Sequence, residues 1–445
     1  MRWVRSVYVS FDDTDSNEGL CTTFLATEVM KEIDDLDLIG YPRLVRLNPA
    51  VPWKTRGNGS LSLRVGHGGG KKTKVGEISG KEFFCYERQI RWEPDAGELL
   101  ERIIPIVKGN RHFSSDSGIV VSEKKPSQSY YWKGVRRIVE RSDVEEELDR
   151  IGALRSGFGN GRGIIGSTCG MAWRPRDSTY EMITYRPRHR WGTERVLEPE
   201  SIGEMDRSFP STFNSWEERF HKVSMVPGTP CPVMYGLRGD RAEDLPGASA
   251  VIRTEPLERR FVFLTNQGTD DHIVYRPKEL EPMSSYYIEG TVLSRRHLPG
   301  GHVVVCLDTG FGTVECTAYE PSKEFRSAFE WLTAGDAVGV MGEMRTEPRT
   351  VNVEKMRVIG TVGEFEKISN PLCGKCGRTM ESVGKGKGYR CRRCGTSSGE
   401  PVKRENTRWI VPGWYEPPSS SRRHLSKPLK RMGEEQPVEF VNSRI

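Results

Sequence analysis

The sequence predicts a multidomain α+β protein, and three observations support this prediction. The 445 residues are enough for three or four domains at roughly 100–200 residues each. From residue 1 to about residue 278, segments with strand and helix patterns alternate, which indicates α/β or α+β layers. Beyond that point short strands dominate, and two Cys-x2-Cys pairs follow them.

The composition indicates a globular protein from a reducing compartment. Hydrophobic residues make up 36% of the chain, and ten Trp, 14 Tyr and 16 Phe can fill several cores. No segment approaches about 18 consecutive apolar residues, and the N-terminus lacks the apolar core of a signal peptide. Six of the ten cysteines are scattered singly, which fits free thiols. We therefore expect a cytoplasmic protein without a membrane partner.

An acidic loop connects the first predicted strand to the first predicted helix. Residues 4–11 have the pattern of a buried strand, and residues 21–36 have helical periodicity. Between them lie Asp12, Asp13 and Asp15. Phosphates and Mg²⁺ collect at this position in α/β folds, because carboxylates bind the metal and helix N-terminal amides bind the anion. The alternative is an Asx-rich turn that leads into a helix N-cap.

The first turn of this helix carries the hydroxyl group of Thr22. A phosphate on this side chain would be stabilised by the positive end of the helix dipole. The alternative is a threonine that simply caps the helix.

The next predicted strand spans residues 41–47, and a basic loop follows it. The loop contains two cations, Lys54 and Arg56, followed by Asn58 between two glycines that allow close backbone approach, Gly57 and Gly59. A Lys and an Arg two positions apart can clamp a triphosphate. The loop is not a Walker A motif, and an ordinary basic loop is the alternative.

The remaining elements of the N-terminal half follow from local patterns. Helices are predicted at 97–107 and 132–151 and around 215–222, strands at 60–65, 179–186, 232–235 and 260–266, and a loop at 66–74. Gly161, Gly163 and Gly166 match G-x-G-x-x-G, but a helix precedes them where a Rossmann fingerprint needs a strand. We therefore exclude an NAD site. The remaining interpretation is a glycine hinge that begins a helix near a substrate.

Five short strands follow, with a helix between the third and the fourth. The strands are predicted at 286–293, 302–308, 312–318, 337–344 and 350–359, and the helix at 324–332. This order is typical of the OB-fold, whose barrel most often binds single-stranded nucleic acid. A small β-barrel of another kind is the alternative.

Two Cys-x2-Cys pairs, 14 residues apart, are formed by Cys373, Cys376, Cys391 and Cys394. Pairs at this distance place four thiolates tetrahedrally around one Zn²⁺, and the neighbouring glycines allow the tight turns. Because four protein ligands close the coordination sphere, the sequence predicts a structural zinc ribbon. Two disulfides are the alternative, which a reducing compartment disfavours.

The net charge of +6 hides an uneven distribution. Residues 371–445 contain 16 Lys and Arg against 7 Asp and Glu, whereas the first 370 residues contain 51 against 54. A basic end on a slightly acidic body suggests an anionic polymer partner, and the basic residues around the cysteine pairs suggest nucleic acid. The alternative is a solvated tail, and the Pro-, Ser- and Arg-rich chain after Trp414 is predicted to be extended.

Several motifs in the chain resemble those of one known family. In order, they are Phe11-Asp-Asp-Thr-Asp-Ser16, Arg46-Leu-Asn-Pro49, Lys54-Thr-Arg-Gly-Asn-Gly59, Gly159-Asn-Gly-Arg-Gly-Ile-Ile-Gly166, Thr179-Tyr-Glu-Met-Ile-Thr-Tyr-Arg186, Gly236-Leu-Arg-Gly239 and Thr265-Asn-Gln-Gly-Thr-Asp270. Because the predicted OB-fold and zinc ribbon follow these motifs, the chain is identified as a member of the archaeal agmatinylcytidine synthetases of isoleucine tRNA, the TiaS family. The resemblance extends from residue 1 to about residue 396 and does not cover the tail.

The resemblance implies a specific reaction. The family uses ATP to attach agmatine to C2 of the wobble cytidine of an isoleucine tRNA with a CAU anticodon, which allows AUA to be decoded. AMP and phosphate are released, and the cytidine is phosphorylated on the way. ATP, Mg²⁺ and structural Zn²⁺ are the implied bound groups, and Thr22 is the implied autophosphorylation site. The implied catalytic residues are Asp12, Asp13, Asp15, Thr22, Lys54 and Arg56, with Gly57, Asn58 and Gly59 at the nucleotide.

The resemblance also implies a domain order. An α/β kinase-like domain spans residues 1–168, and a ferredoxin-like α+β domain spans 169–280. An OB-fold spans 284–363, a zinc ribbon spans 370–397, and a basic, extended tail spans 398–445.

Agmatine carries a guanidinium group and an ammonium group, so it needs acidic partners. Glu181, Asp206 and Asp240 are our candidates, although each also fits an ordinary structural carboxylate.

Two alternatives to the ligase remain: a non-catalytic RNA-binding protein that uses only the OB-fold and the ribbon, and an autophosphorylating kinase that acts on another acceptor.

Overall fold

The structure, a computed structural model, describes residues 6–16, 18–55, 57–90 and 94–437. The strands of the N-terminal half are β1 (Val7–Asp12), β2 (Asp37–Ile39), β3 (Arg43–Arg46), β4 (Gly59–Gly66), β5 (Gly68–Ile78), β6 (Lys81–Gln89), β7 (Gly118–Ser122), β8 (Leu154–Gly157), β9 (Thr179–Tyr185), β10 (Thr212–Phe213), β11 (Trp216–Glu217), β12 (Lys222–Val223), β13 (Val233–Gly239) and β14 (Arg259–Thr265). Its helices are α1 (Thr22–Glu32), α2 (Ala96–Asn110), α3 (Gln128–Arg136), α4 (Arg141–Ile151), α5 (Gly163–Ala172), α6 (Pro199–Ser208) and α7 (Leu245–Val251).

One continuous sheet extends through this half. Its strand order is β10-β13-β9-β14-β5-β6-β2-β4-β1-β7-β8, and β3 pairs with both β4 and β14. Strand β14 joins the two regions, since it pairs with β9 on one side and with β5 and β3 on the other. The α/β prediction for residues 1–168 is wrong, because most neighbouring strands there are antiparallel and not joined by parallel crossovers. The α+β class applies to the whole half.

Helices cover both faces of this sheet. In β7, Ile119 and Val121 pack in the core that contains α1 and α2, whereas Val120 packs on the opposite face with α3, α4 and α5. Tyr131 of α3 and Trp173 at the end of α5 are among the largest fully buried side chains on that second face. The alternation of side-chain directions along a strand therefore produces two separate cores.

Three local predictions in this half are wrong. Residues 66–74 are largely part of β5, because their glycines leave room for β6: a Cβ at Gly68 would overlap the ring of Tyr86. The predicted helix at 132–151 is two helices, α3 and α4, since the backbone is extended at Arg137 and Glu140 between them. Where a helix is predicted at 215–222, the structure has β11 and β12, which pair as an antiparallel hairpin.

A closed barrel follows, and its predicted strands and helix are confirmed. The elements are β15 (Ile273–Val274), β16 (Ser284–Leu298), β17 (His302–Thr309), β18 (Gly312–Ala318), α8 (Glu324–Glu330), β19 (Ala337–Met344) and β20 (Val351–Gly360). The order β16-β17-β18-β20-β19 closes because β16 also pairs with β19, and β18 pairs with β20 in parallel. Phe325 and Phe329 of α8 are buried with the inward-facing strand residues.

The cysteine-containing region is made of short strands. They are β21 (Phe365–Ser369), β22 (Glu381–Ser382), β23 (Tyr389–Arg390), β24 (Ser397–Ser398) and β25 (Val402–Glu405). Strand β21 pairs with β25, and β22, β23 and β24 form a second small sheet. The chain then returns to the barrel, where β26 (Gly413–Tyr415) pairs with β20.

Residues 416–432, which we call the C-terminal strap, cross back over the N-terminal half and end in α9 (Leu429–Met432). The prediction of an extended tail is wrong here, since Leu425 and Leu429 are buried. The basic residues that suggested solvation instead pair with acidic residues of the body: Lys427 with Asp177, Arg431 with Asp177 and Asp240, and Arg423 with Glu343 and Glu354. Part of the basic excess is thus compensated inside the molecule.

The helices within the described residues are too short or too polar for a membrane span.

Candidate active site

A cavity of about 970 Å³ opens between the acidic loop, the basic loop, β9, β13 and the strap. Its lining includes most of the site residues expected from sequence: Asp12, Asp13, Asp15, Thr22, Lys54, Gly57, Asn58, Gly59 and Glu181. Arg56 lies outside the described residues. Asp206 and Asp240 are absent from the lining.

Asp12 and Asp13 form the acidic end of the cavity. Burial, with the charges of Asp13 and Asp15, raises the pKa of Asp12 to about 8. Burial, with Asp15 and Asp116, raises the pKa of Asp13 to about 6. The backbone N–H of Asp13, a residue with φ of 55°, donates to Asp12 Oδ1 over 2.7 Å. These crowded carboxylates would be stabilised by a bound cation.

The glycine-rich segment 157–166 explains how the acidic end is built. Helix α5 begins at Gly163 and packs directly on β1 and β7. A Cβ at Gly166 would overlap the carboxylate of Asp12, and a Cβ at Gly163 would lie 2.6 Å from the Asp12 carbonyl oxygen. The glycines are therefore needed for close helix–strand approach beside the site.

Thr22 is the first residue of α1 and lies at the cavity. Its Oγ1 accepts a hydrogen bond from Thr14 Oγ1 over 3.1 Å. The N-cap is Cys21, whose side chain makes no capping hydrogen bond, so the threonine-cap alternative does not apply to Thr22.

The basic loop lies against Arg46. A Cβ at Gly57 would come within 2.6 Å of Arg46 Nη1, and one at Gly59 within 3.0 Å, so only glycine fits without displacing the guanidinium. Asn58 has a positive φ of 41°, and its amide donates to Asn48 O over 2.9 Å. Burial, together with the charge of Arg423, lowers the pKa of Lys54.

Glu181 lies at the centre of a buried polar network. Arg238 Nε lies 3.1 Å from Glu181 Oε1, Arg46 Nη2 lies 3.8 Å from Oε2, and Gln267 Nε2 donates to Oε2 over 2.5 Å. Two guanidinium groups of the protein therefore already neutralise this carboxylate.

The other two agmatine candidates are in the wrong place for the cavity. Asp206 lies on α6, where burial raises its pKa. Asp240 pairs with Arg431 of the strap at 2.6 Å. The choice of these residues by charge alone is not supported by the geometry.

Sequence reasoning missed several residues that line the cavity: Arg46, Trp53, Arg162, Arg238, Glu343, Arg423 and His424. Arg162 stacks over the half-exposed ring of Trp53, with its guanidinium carbon 4.4 Å from the ring centroid. Arg46 and Arg238 lie inside motifs quoted in the sequence analysis, so these motifs could have identified them as site residues. Arg423 and His424 lie in the tail that no motif covered.

The four cysteines of the predicted zinc site lie together. The Sγ atoms of Cys373, Cys376, Cys391 and Cys394 are all within 4.8 Å of one another. Tetrahedral Zn²⁺ with Zn–S bonds of about 2.3 Å needs S–S separations of about 3.8 Å. Gly377 and Gly395 follow each pair with φ of 65° and 72°, and their N–H groups donate to the carbonyls of Cys373 and Cys391. The donor set fits a closed structural zinc site, as predicted.

Family models match three parts of the chain. The model described as TiaS TCKD domain matches residues 8–160, and that described as TiaS FLD domain matches residues 161–272. The model described as TiaS C-terminal zinc ribbon domain matches residues 370–410.

Curated relatives match over nearly the full length. TiaS of Archaeoglobus fulgidus, a 2-agmatinylcytidine synthetase of isoleucine tRNA, is 37% identical over 443 residues, covering 96% of this chain and 98% of the relative. The protein of the same name from Methanocaldococcus jannaschii is 34% identical, covering 95% and 98%.

Solved structures show the same likeness. A crystal structure of TiaS in complex with its isoleucine tRNA and ATP superposes with a TM-score of 0.84 at 35% identity, covering 98% of this chain and all of the other. A second crystal structure, of TiaS in complex with the same tRNA, AMPCPP and agmatine, superposes with a TM-score of 0.82 at 33% identity, covering 98% of this chain and 100% of the other.

Proposed function

Because the chain belongs to the TiaS family of 2-agmatinylcytidine synthetases of isoleucine tRNA, it is an ATP-dependent agmatine–cytidine ligase, and we propose that the cavity is its active site. Its substrates are the isoleucine tRNA, agmatine and ATP. The alternative of a non-catalytic RNA-binding protein is therefore wrong.

One observation carries the assignment of the site. A single cavity gathers the acidic loop, the hydroxyl of Thr22 and the glycine-containing basic loop, although the rest of α1 and strands β2 and β3 separate the basic loop from the other two. Asp12, Asp13 and Asp15 would hold Mg²⁺, which favours a few carboxylates together with substrate phosphates. The ion would neutralise developing phosphoryl charge. Lys54 and Arg56, with Gly57, Asn58 and Gly59, would bind the nucleotide phosphates.

The proposed chemistry has two steps at the wobble cytidine. C2 of cytosine is a urea-like carbonyl carbon, so its oxygen must first become a leaving group. Transfer of a phosphoryl group from ATP onto that oxygen achieves this, with Lys54 stabilising the transferred charge. The deprotonated amine of agmatine then attacks C2, the C2–O bond breaks and phosphate leaves. The first transfer converts ATP to ADP, and transfer of the second phosphoryl group to Thr22 or to water leaves AMP as the nucleotide product.

Thr22 is proposed to accept a phosphoryl group as well. Its hydroxyl lies at the start of α1, where the helix dipole favours negative charge, and it lines the same cavity as the nucleotide loop. Among the three agmatine candidates, we retain only Glu181, because it alone lines the cavity.

The barrel and ribbon are proposed to hold the tRNA. The closed strand order, with α8 before the fourth strand of the ring, supports an OB-fold at residues 284–363. The wobble base must leave its stack to reach the cavity. The kinase-like region at 1–168, the ferredoxin-like region at 169–280 and the ribbon at 370–397 complete the proposed division.

Mass spectrometry of the wobble cytidine after incubation of the isoleucine tRNA with ATP and agmatine tests the site. We expect Asp13→Ala to abolish agmatine incorporation and AMP release while tRNA binding is retained. Asp34→Ala, which removes a carboxylate outside the cavity lining that pairs with Lys81, is the matched control and should behave as the wild type. Full incorporation by Asp13→Ala would show that the acidic end is not the metal–ATP site.

A further inference from the structure

The C-terminal strap supplies part of the cavity wall through Arg423, His424 and Leu425. Its backbone is fixed there, since Gly268 N–H donates to His424 O over 2.8 Å and Asp270 N–H donates to Leu425 O over 2.9 Å. The buried side chain of Leu425 packs in the same core as Trp173. The strap is therefore firmly anchored at the point where these side chains reach the cavity.

The hydrogen-bond partner of His424 fixes the state of its imidazole. Arg238 Nη2 lies 3.3 Å from His424 Nδ1, and a guanidinium group can only donate. Nδ1 is therefore an acceptor, and the ring is neutral with its proton on Nε2. Burial and the charges of Arg46 and Arg238 hold the pKa of His424 well below its usual range, in agreement with the neutral ring.

The Nε2–H edge of this ring faces the basic loop. A Cβ placed on Gly57 would lie 3.0 Å from both Nε2 and Cδ2 of His424. Within the described part of the chain no acceptor bonds Nε2–H, whereas Nδ1 has its donor. A neutral donor is thus presented to the loop that borders the nucleotide site.

Arg423 is held beside the cavity by two glutamates of the barrel. Its Nη2 donates to Glu343 on β19, and its Nε lies 3.6 Å from Glu354 Oε2 on β20. Arg423 Nη1 and Arg46 Nε are buried without a hydrogen-bond partner among the described residues. Because both atoms are closed to solvent, the two guanidinium groups act on a ligand in the cavity through their charge.

The charges on this wall select the class of ligand. Around the basic loop, the described lining sets four cations against two carboxylates: Lys54, Arg46, Arg238 and Arg423 against Glu181 and Glu343. The excess is positive, and His424 Nε2–H is a donor, which suits a phosphoryl group with its acceptor oxygens.

We propose that His424 and Arg423 form a phosphate subsite with the basic loop, in which His424 Nε2–H donates to an oxygen of one phosphoryl group and the charge of Arg423 stabilises that group. The proposal rests on the active site described above. The phosphoryl group belongs either to ATP or to the tRNA backbone next to the wobble cytidine. Both residues position substrate and take no part in bond breaking.

Paired variants of the full-length enzyme separate positioning from folding. His424→Asn keeps a side-chain oxygen near Nδ1 for Arg238 but removes the donor at the ε position, whereas His424→Gln places an amide N–H there. Arg423→Gln removes the charge, and Arg422→Gln neutralises a neighbouring arginine whose side chain bonds Glu416 and Asn214 away from the cavity lining. The Michaelis constants for ATP, the isoleucine tRNA and agmatine are measured for each variant, with the thermal unfolding midpoint as the folding control.

Loss of a hydrogen bond to a charged phosphate should raise one Michaelis constant about tenfold. If the phosphate is that of ATP, KM for ATP rises in His424→Asn and Arg423→Gln while tRNA affinity is unchanged. If it belongs to the tRNA, KM for tRNA rises and the salt dependence of binding becomes shallower. In either case His424→Gln recovers most of the loss, and Arg422→Gln matches the wild type.

Two results would overturn the subsite. One is unchanged constants for ATP and tRNA in both His424→Asn and Arg423→Gln, and the other is a loss in His424→Asn that His424→Gln fails to recover. Failure of the proposed active site is visible separately, because it requires Asp13→Ala to retain agmatine incorporation in the same assay.

Discussion

Asp12 and Asp13 hold protons that exposed carboxylates would lose at about pH 4. Their pKa values of about 8 and about 6 reflect burial and the repulsion of neighbouring carboxylates, so a bound cation must displace these protons. We expect the affinity for Mg²⁺–ATP to rise with pH between about 6 and 8, by up to about tenfold per pH unit for each proton released. At higher pH the affinity should become constant, because both groups are then ionised in the free protein.

Calorimetric titration at several pH values, in buffers with different ionisation enthalpies, measures this proton release directly. Asp12→Asn cannot titrate, so its binding should lose the part of the pH dependence above about pH 7. An affinity independent of pH in the wild type would mean that the cation does not contact these carboxylates.

The residues that sequence analysis placed correctly are those whose partners are close in the chain. Asp12, Asp13 and Thr22 lie within one strand–loop–helix unit, and the position of that unit in a sheet already suggests an anion or metal site. Arg423 and Glu343 could not be found this way, because they reach the cavity only through tertiary contacts. Charge alone selected Asp240, but an arginine 191 residues further along the chain pairs with that carboxylate.

At the level of elements, α5 positions the acidic end by contact with β1. Gly166→Ala would push a methyl group into the Asp12 carboxylate, and neither the helix nor the strand can retreat from its core. We expect kcat/KM to fall about 100-fold, the size of effect that a displaced site residue produces, and the thermal unfolding midpoint to drop as well.

Gly109→Ala is the matched control for this substitution. Gly109 lies in the last turn of α2, and a Cβ there meets no atom within 4 Å. Alanine should therefore stabilise this helix by up to about 1 kcal/mol without a change in activity. Wild-type kinetics for Gly166→Ala would show that the tight α5–β1 contact is not needed for catalysis.

Strands and helices were predicted correctly where the hydrophobic periodicity of a segment matches its burial. The predictions failed where pairing with a neighbouring strand determines the secondary structure. The barrel strands alternate clearly, and each appears in the structure at its predicted place. Strand β5 begins with glycines and lysines and has no such pattern; its pairing with β6 makes it a strand. Similarly, nothing local indicates that β14 joins two regions into one sheet.

For the whole molecule, the basic C-terminal sixth divides into two parts with different partners. In the strap, Lys427 and Arg431 pair with the acidic body, whereas the cations of the ribbon are exposed. Replacement of Lys385, Lys387, Arg392 and Arg393 by Gln should weaken tRNA binding and flatten its salt dependence by roughly 0.7–0.9 for each phosphate that is no longer neutralised.

Binding is measured as the Kd for the isoleucine tRNA at several salt concentrations. ATP affinity in the absence of tRNA should be unaffected in this variant, because none of the four residues lines the cavity. An unchanged Kd and slope would show that these charges are only solvated.

The strap has a consequence for how a newly made molecule becomes active. The carboxylates of the cavity leave the ribosome well before Arg423 and His424, because more than 400 residues separate Asp12 from the strap. The nascent chain can form its sheets and barrel beforehand, since domains fold as units during synthesis, yet the cavity stays open on one side until the strap has emerged. Only chains that extend past His424 then possess the whole pocket, so a truncation before this residue would act at the catalytic centre.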